Sequence, residues 1–437
     1  MFLNAVFLFL TSIMMVYLIR HYIFTITVLR RAKSRGRNES HLLMNSNYEP
    51  NVSVLIPARN EEKVIGRLLG SLVELTYPKQ KFEVIVVDDA STDDTGKIVD
   101  GFVARFSFIK VIHRSPEQGG KGKTLIMNSA FHLSNGDVIL CFDADYCPQK
   151  DIVEKLVMEF LDPKVGAVQG RVVVLNEPTN MVTRLVALER IGGYRIDQEA
   201  RDNLSLIPQF GGTVGGFRRS VLEELGGWDE RVLAEDTDLT FRVYLAGYKV
   251  RYVCVAECYE EAVDSWRAYW TQRYRWARGH MQCCFRHWWK VLKSKKLSLR
   301  EKFDGLLLLN IYFMPLIVLL SIIIGVVLIF SKTSVLANIL WFSVPVSLYS
   351  FVGNFAPFFE VGVGAYLDGR RRTQLLIPLL IFAFVYNMPI CIKAFFDLMS
   401  AKILRQNPNP WAKTEHLGGG YSYLIANETL IHLRGGE

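Results

Sequence analysis

The hydrophobic pattern changes period along the chain, and the changes divide it into regions. Residues 2–19 are uncharged and just long enough to span a bilayer. No basic stretch precedes them and no A-x-A site follows, so an uncleaved span is expected rather than a secretory signal. The basic run from Arg30 to Arg37 then assigns the next region to the cytoplasmic side. Residues 38–50 are polar and irregular and read as a linker.

From Asn51 short apolar runs alternate with amphipathic stretches. Strands are expected at 52–57, 82–88, 109–113, 138–142 and 165–174, and helices at 61–75, 95–106, 124–133, 152–160 and 180–202. This rhythm predicts an α/β domain with a mostly parallel sheet and helices on both faces. Residues 264–300 interleave Trp, Tyr and Arg at helical spacing and read as interfacial helices, with an RNA-binding surface as the rival. Apolar blocks follow at 305–330, 335–358 and 374–396, the last two interrupted by Pro345, Pro357, Pro378 and Pro389. The expected bounds are a span at 1–30, a cytosolic domain at 51–262, interfacial helices at 263–300, a membrane region at 305–398 and a tail at 399–437. Counting spans in order puts the loop Arg370 to Arg372 inside. It puts Lys402, Arg405 and Lys413 outside, against the positive-inside rule, which marks one block as re-entrant or interfacial.

Half of the residues are hydrophobic and the net charge is +8. The basic clusters flank apolar segments, so membrane topology explains the charge better than nucleic acid does. Seven cysteines in no C-x-x-C pattern predict reduced thiols rather than a disulfide framework. His280, Cys283, Cys284 and His287 lack the usual zinc spacing and read as packing.

Candidate chemistry gathers where strands end. Asp143-Ala144-Asp145 follows the strand at 138–142, where an open α/β sheet binds its ligand. Paired carboxylates suit a divalent cation on a diphosphate, although a strand-ending turn looks the same. Asp88 and Asp89 end the strand at 82–88, at the same sheet edge. The stretch Gly119 to Thr124 lacks the first glycine of a P-loop, but Lys123 at a helix start can still pair with a diphosphate. Phe210 to Phe217 is a glycine-rich turn or hairpin. Glu235, Asp236 and Asp238 open a helix, where acids are favoured anyway and where one could act as general base. Gln272, Arg273, Arg275 and Trp276 could contact phosphate and a sugar ring, or snorkel from an interfacial helix.

Taken in order, Asp88-Asp89, Gly122-Lys123 with Asn128, Asp143-Ala144-Asp145, Phe217-Arg218-Arg219, Glu235-Asp236 and Gln272-x-x-Arg275-Trp276 resemble the family 2 processive glycosyltransferases. These are the synthases of hyaluronan, chitin, cellulose and poly-N-acetylglucosamine. The resemblance covers about residues 51–279, and Trp411 to Thr414 resembles a stretch after the last span of the poly-N-acetylglucosamine synthases. It implies a GT-A fold, a UDP-sugar donor, Mg²⁺ or Mn²⁺, inversion at the anomeric carbon and extrusion of the polymer. It implies nucleotide-sugar binding by Asp88, Asp89, Lys123, Asp143, Gln272, Arg275 and Trp276, and a metal on Asp143 and Asp145. Asp236 becomes the catalytic base, with Gly211, Gly212, Thr213, Glu235 and Trp276 around the acceptor.

The expected function is therefore a plasma-membrane, multi-pass polysaccharide synthase with its catalytic domain in the cytosol and UDP-GlcNAc as the favoured donor. Its partners are that donor, the growing glycan, the bilayer and any accessory export subunits, and no nucleic acid. The first alternative is transfer of one sugar to a lipid; the second is a nucleotide-sensing transporter or receptor.

Overall fold

The computed structural model describes residues 2–35, 48–330 and 353–403, together with Gly418. Its strands are β1 (Val52–Ala58), β2 (Phe82–Asp88), β3 (Ile109–His113), β4 (Val138–Cys141), β5 (Cys147–Pro148), β6 (Val165–Val174), β7 (Gly215–Arg218) and β8 (Lys249–Glu260). They form one sheet in the order β3-β2-β1-β4-β7-β6-β8-β5. Strands β1 to β4 are parallel neighbours, as the alternation of strand and helix predicts. Period-2 alternation sends Val54, Ile56, Val84 and Val86 into one core and Leu55, Ile85, Val87 and Ile139 into another, so each face is covered by helices.

The sheet is mostly parallel, as expected, with two antiparallel strands that make it mixed. Strand β7 runs antiparallel to both β4 and β6, and β5 antiparallel to β8. Glycine makes this insertion possible. A Cβ on Gly216 would lie 1.8 Å from the Ile139 carbonyl oxygen, and one on Gly215 would lie 2.2 Å from that of Val168. The glycine-rich segment is thus the middle of the sheet, and it brings the turn at 211–214 to the end of β4.

Three helices carry the rest of the site. Residues 181–203 form one continuous helix, begun by an Asn180 capping box and widened into π turns over Ile191–Gln198. Glu235–Ala246 ends at Gly247. Trp266–Lys293 is a single helix capped by Ser265, where several interfacial ones were expected. It packs on the Leu380–Ile403 helix through Ala277, Met281, Cys391, Ala394 and Leu398.

Among the described residues, Phe2–Ala32, Leu299–Leu328 and Ile377–Ala401 are long and apolar enough to cross a bilayer. Most of the block expected at 335–358, and Trp411 to Thr414, lie outside the described residues. Arg370 Nη1 donates to Glu177 at 2.6 Å, and the Gly418 N–H donates to Glu261 at 3.0 Å. Chain on either side of the Leu380–Ile403 helix therefore touches the catalytic domain.

Gly216→Ala must push β7 away from β4 and is expected to cost about 3 kcal/mol. Gly70→Ala, in the Ile65–Val73 helix with nothing within 4 Å of the new methyl, should be neutral or slightly stabilising. Thermal unfolding of the two purified variants checks both.

Candidate active site

Four chain segments converge at the carboxyl end of β4. The Asp143 N–H donates to Thr213 Oγ1 at 3.0 Å, tying the loop after β4 to the turn before β7. Lys123 is the first residue of the Lys123–Leu133 helix, reached through Gly122 at φ 117°. Its Nζ lies 2.6 Å from Asp143 Oδ1 and 3.7 Å from Glu235 Oε1, and donates to the Gly212 carbonyl at 3.1 Å. Gly212, at φ +82°, passes so close to Asp236 that a Cβ there would lie 3.5 Å from the Asp236 Cβ. Asp143, Lys123, Gly211 to Thr213, Glu235 and Asp236 thus share one wall.

Burial sets the charges on that wall. Burial raises the pKa of Glu235, opposed by the Lys123 ammonium and reinforced by the neighbouring Asp236 carboxylate. Burial likewise raises that of Asp236, opposed by the Thr237 N–H, 2.6 Å from Oδ1, and by Lys123. For Lys123 burial works against the charge, but Asp143 and Glu235 outweigh it and lift its pKa. A carboxylate held above its usual range is a stronger base for a hydroxyl proton.

The Trp266–Lys293 helix supplies the facing wall, with Gln272, Arg275 and Trp276 on the same cavity. The Arg275 guanidinium lowers the pKa of both Glu235 and Asp236, so it looks onto them. Its Nε is buried without a hydrogen-bond partner among the described residues. Trp276 lies between two cations, with Arg273 4.2 Å and Arg190 5.2 Å from its ring. Arg190 forks onto Glu260, whose Oε2 also accepts from Tyr146 at 2.8 Å. Glu189 pairs with Arg273. Glu189, Arg190, Tyr194, Glu260 and His280 all line the cavity. Sequence reasoning did not assign them to the site, because their polarity is ordinary for helix and strand ends. The one signal was a run of charges on a long helix. Burial pushes His280 down to about 4, so it is neutral at pH 7, within hydrogen-bond distance of Thr237 Oγ1 at 3.2 Å.

Asp88 and Asp89 are engaged elsewhere and do not line the cavity. Asp88, 6 % exposed, accepts from the Ser91 N–H and pairs with His113 Nδ1 at 2.9 Å. Asp89, 1 % exposed, accepts from Arg114 Nη1 at 2.6 Å, the Gly120 N–H at 2.9 Å and Arg59 Nη1 at 3.3 Å. Arg59 does line the cavity, so Asp89 reaches the site through it. Arg218 and Arg219 tie down backbone carbonyls of Phe160, Asp162 and Gly136. Of the cluster 280–287, His287 Nε2 lies 2.8 Å from Asp238, and the Cys283 thiol contacts the Ala234 carbonyl.

Asp143 and Asp145 fit a divalent cation shared with a substrate. They are hard oxygen donors, and Asp143 already meets a cation in the Lys123 ammonium. Among the described residues no three His, Cys, Asp or Glu side chains form a ready-made cage. One or two carboxylates plus phosphate oxygens is the set Mg²⁺ ordinarily takes. The cavity as a whole measures about 1090 Å³ and runs from these residues to Met14, Leu18, Val318 and Phe384 on apolar helices.

The sequence and fold match known proteins. Residues 50–279 match the family described as glycosyltransferase like family 2. The probable glycosyltransferase YdaM of Bacillus subtilis is 40% identical over 67% of this chain and 70% of its own length. The beta-monoglucosyldiacylglycerol synthase of Trichormus variabilis is 30% identical over 85% of this chain and 77% of its own. The solved mannosyltransferase PcManGT from Pyrobaculum calidifontis, in complex with GDP-Man and Mn²⁺, shares the fold at a TM-score of 0.55 and 23% identity, over 85% of this chain and 99% of that one. The chain belongs to glycosyltransferase-like family 2 and is a glycosyltransferase with the GT-A fold.

Proposed function

We propose that the enzyme transfers one sugar from a UDP-sugar to the hydroxyl of a membrane lipid, with inversion at the anomeric carbon. The observation that carries this reading is the single cavity joining Asp143 and Asp236 to apolar residues of the membrane helices. A relative named for a glucosyldiacylglycerol product supports it. The favoured reading therefore moves from polymer synthesis to a glycolipid, and the donor to test first moves from UDP-GlcNAc to UDP-glucose. The Gln272-x-x-Arg275-Trp276 set on the cavity wall keeps a processive synthase as the second reading.

The residues divide the work simply. Asp236 takes the proton of the acceptor hydroxyl while its oxygen bonds to the anomeric carbon. The bond from that carbon to UDP breaks in the same step, and UDP leaves. No enzyme nucleophile is needed, so configuration inverts. Lys123 and Arg275 hold the negative diphosphate, Gln272 and Trp276 position the donor, and Gly211, Gly212, Thr213 and Glu235 shape the acceptor side. Asp89 orients Arg59 at the nucleotide end, and Asp88 braces the same loop through Ser91. Asp143 and Asp145 would hold Mg²⁺ or Mn²⁺, which would supply Lewis-acid stabilisation of the charge developing on the leaving diphosphate. The catalytic domain is proposed to lie on the cytosolic face of the plasma membrane.

Asp236→Asn is expected to lower transfer by about 10²- to 10⁴-fold while UDP binding persists; unchanged turnover sinks the base assignment. The pH profile of kcat/KM gives a second check. Asp236 works ionised, and burial raises its pKa, so activity should fall on the acid side at a pH above the ordinary range of Asp. Removing the cation in Arg275→Gln raises the carboxylates further and should move that limb to higher pH. Finally, purified enzyme with UDP-[¹⁴C]glucose, Mn²⁺ and diacylglycerol should put the label into one organic-soluble glycolipid. Aqueous, high-mass polymer supports the processive reading instead.

A further inference from the structure

The cavity has a second polar end that the transfer chemistry does not use. Arg20 and His21 interrupt the first apolar helix and face the π turns at Ile191–Gln198. Arg20 is 6 % exposed and Arg201 is 2 % exposed. Arg20 Nη2 donates to Asp197 Oδ2 at 3.4 Å, and Arg201 Nη1 to Asp304 Oδ2 at 2.5 Å. Arg20, Asp197 and Arg201 line the same cavity as Asp236. Each pair leaves polar atoms over. Arg20 Nε and Nη1, Arg201 Nη2 and Asp197 Oδ1 are buried with no hydrogen-bond partner among the described residues. Ionisable groups in an apolar span are costly and mark function by default, and π turns recur at functional sites.

The charge count indicates the ligand. Two guanidiniums meet two carboxylates, and beside them His21 pairs with Glu360. The cluster has no net positive charge to attract a lipid phosphate. What remains is three donor nitrogens and two acceptor oxygens, Asp197 Oδ1 and Asp304 Oδ1, which suits an uncharged, oxygen-rich head group. Towards the bilayer the wall turns apolar at Met14, Leu18, Met314 and Val318, where acyl chains can lie. The subsite is also joined to the base. Gln198, beside Asp197, donates to the Gln209 carbonyl at 2.6 Å, and Gln209 Nε2 donates to Thr237 Oγ1 at 2.8 Å. The Thr237 N–H in turn donates to Asp236.

We propose that Arg20, Asp197 and Arg201 form the head-group subsite for the acceptor lipid, in which Arg20 and Arg201 donate to the ester carbonyls of a diacylglycerol. This rests on the lipid-acceptor reading above. Its stereochemical consequence is that the acyl chains stay at the membrane end while the free hydroxyl points to Asp236.

The test uses the full-length enzyme in phosphatidylcholine nanodiscs with a diazirine-bearing diacylglycerol. Arg20→Met/Asp197→Leu replaces the pair by apolar groups of similar size, which a fold commonly tolerates. Photolabelling and the KM for diacylglycerol should each worsen by about tenfold, the weight of one or two hydrogen bonds to a charged group, while UDP affinity and the donor KM stay unchanged. If the double variant does not fold, Arg20→Lys keeps the charge and the ion pair but removes the forked donors, and should show the same loss in direction. Unchanged labelling in the variants overturns the subsite whatever the product. Labelling lost in the variants, with no glycolipid formed by wild type, sustains the subsite and overturns the acceptor reading instead. Phosphatidic acid displacing the probe better than diacylglycerol overturns the neutral head group.

Discussion

The site depends on one buried ammonium. Lys123 sits against Asp143 and Glu235 with Asp236 one residue further on, so one ammonium touches acids from two distant segments, and Arg275 adds a second cation towards Glu235 and Asp236. Buried charges of one sign cannot be left together without such a partner, because desolvation and mutual repulsion both favour protonation. The ammonium lets the fold keep Asp143, the proposed metal ligand, and Asp236, the proposed base, on one wall of the cavity. Arg275 enters from the opposite wall with an Nε that has no hydrogen-bond partner among the described residues. In the proposed mechanism a donor diphosphate would then meet positive charge from two sides, with Asp236 on the acceptor side.

That arrangement is built by a backbone device. Antiparallel β7 fits between β4 and β6 only because Gly215 and Gly216 carry no side chain. The same glycine-rich segment bends at Gly212 to meet Asp236 and gives Thr213 to the Asp143 N–H. Composition in this stretch is therefore dictated twice, by sheet packing and by the approach of backbone to the reacting groups. Neither requirement alone explains the whole run from Phe210 to Phe217.

Much of this is legible in the sequence. Strands at 82–88, 109–113 and 165–174 are found at those residues because period-2 burial and flanking turns mark them clearly. The acids at Asp143, Glu235 and Asp236 are legible because unsatisfied carboxylates at element ends need a purpose. The antiparallel insertion is not, since hydrogen-bond direction leaves no mark on a short glycine-rich run. Asp88 and Asp89 look like ligands in the sequence, yet their partners His113, Arg114 and Arg59 come from other loops that pattern alone does not bring near. Arg20 is the opposite case. It reads as the end of an apolar run at residue 19, but the helix continues to Arg35, so the charge falls inside it rather than after it.

Whether such a site makes a glycolipid or a polymer does not depend on the bond-forming groups. Inversion with one base is the same reaction for either acceptor, and the donor half is the same half. The difference lies in what the membrane end of the cavity can hold. A growing glycan must slide after each addition, which favours walls that bind sugar weakly and repeatedly. Here that end carries ion pairs with fixed geometry, Arg20 with Asp197 and Arg201 with Asp304, set against Met14 and Leu18. Fixed donors beside an apolar wall match a ligand that is polar at one end, apolar at the other and stationary during transfer. On the proposed lipid-acceptor reading, the choice of product then rests with the first helix and the π turns rather than with the catalytic acids.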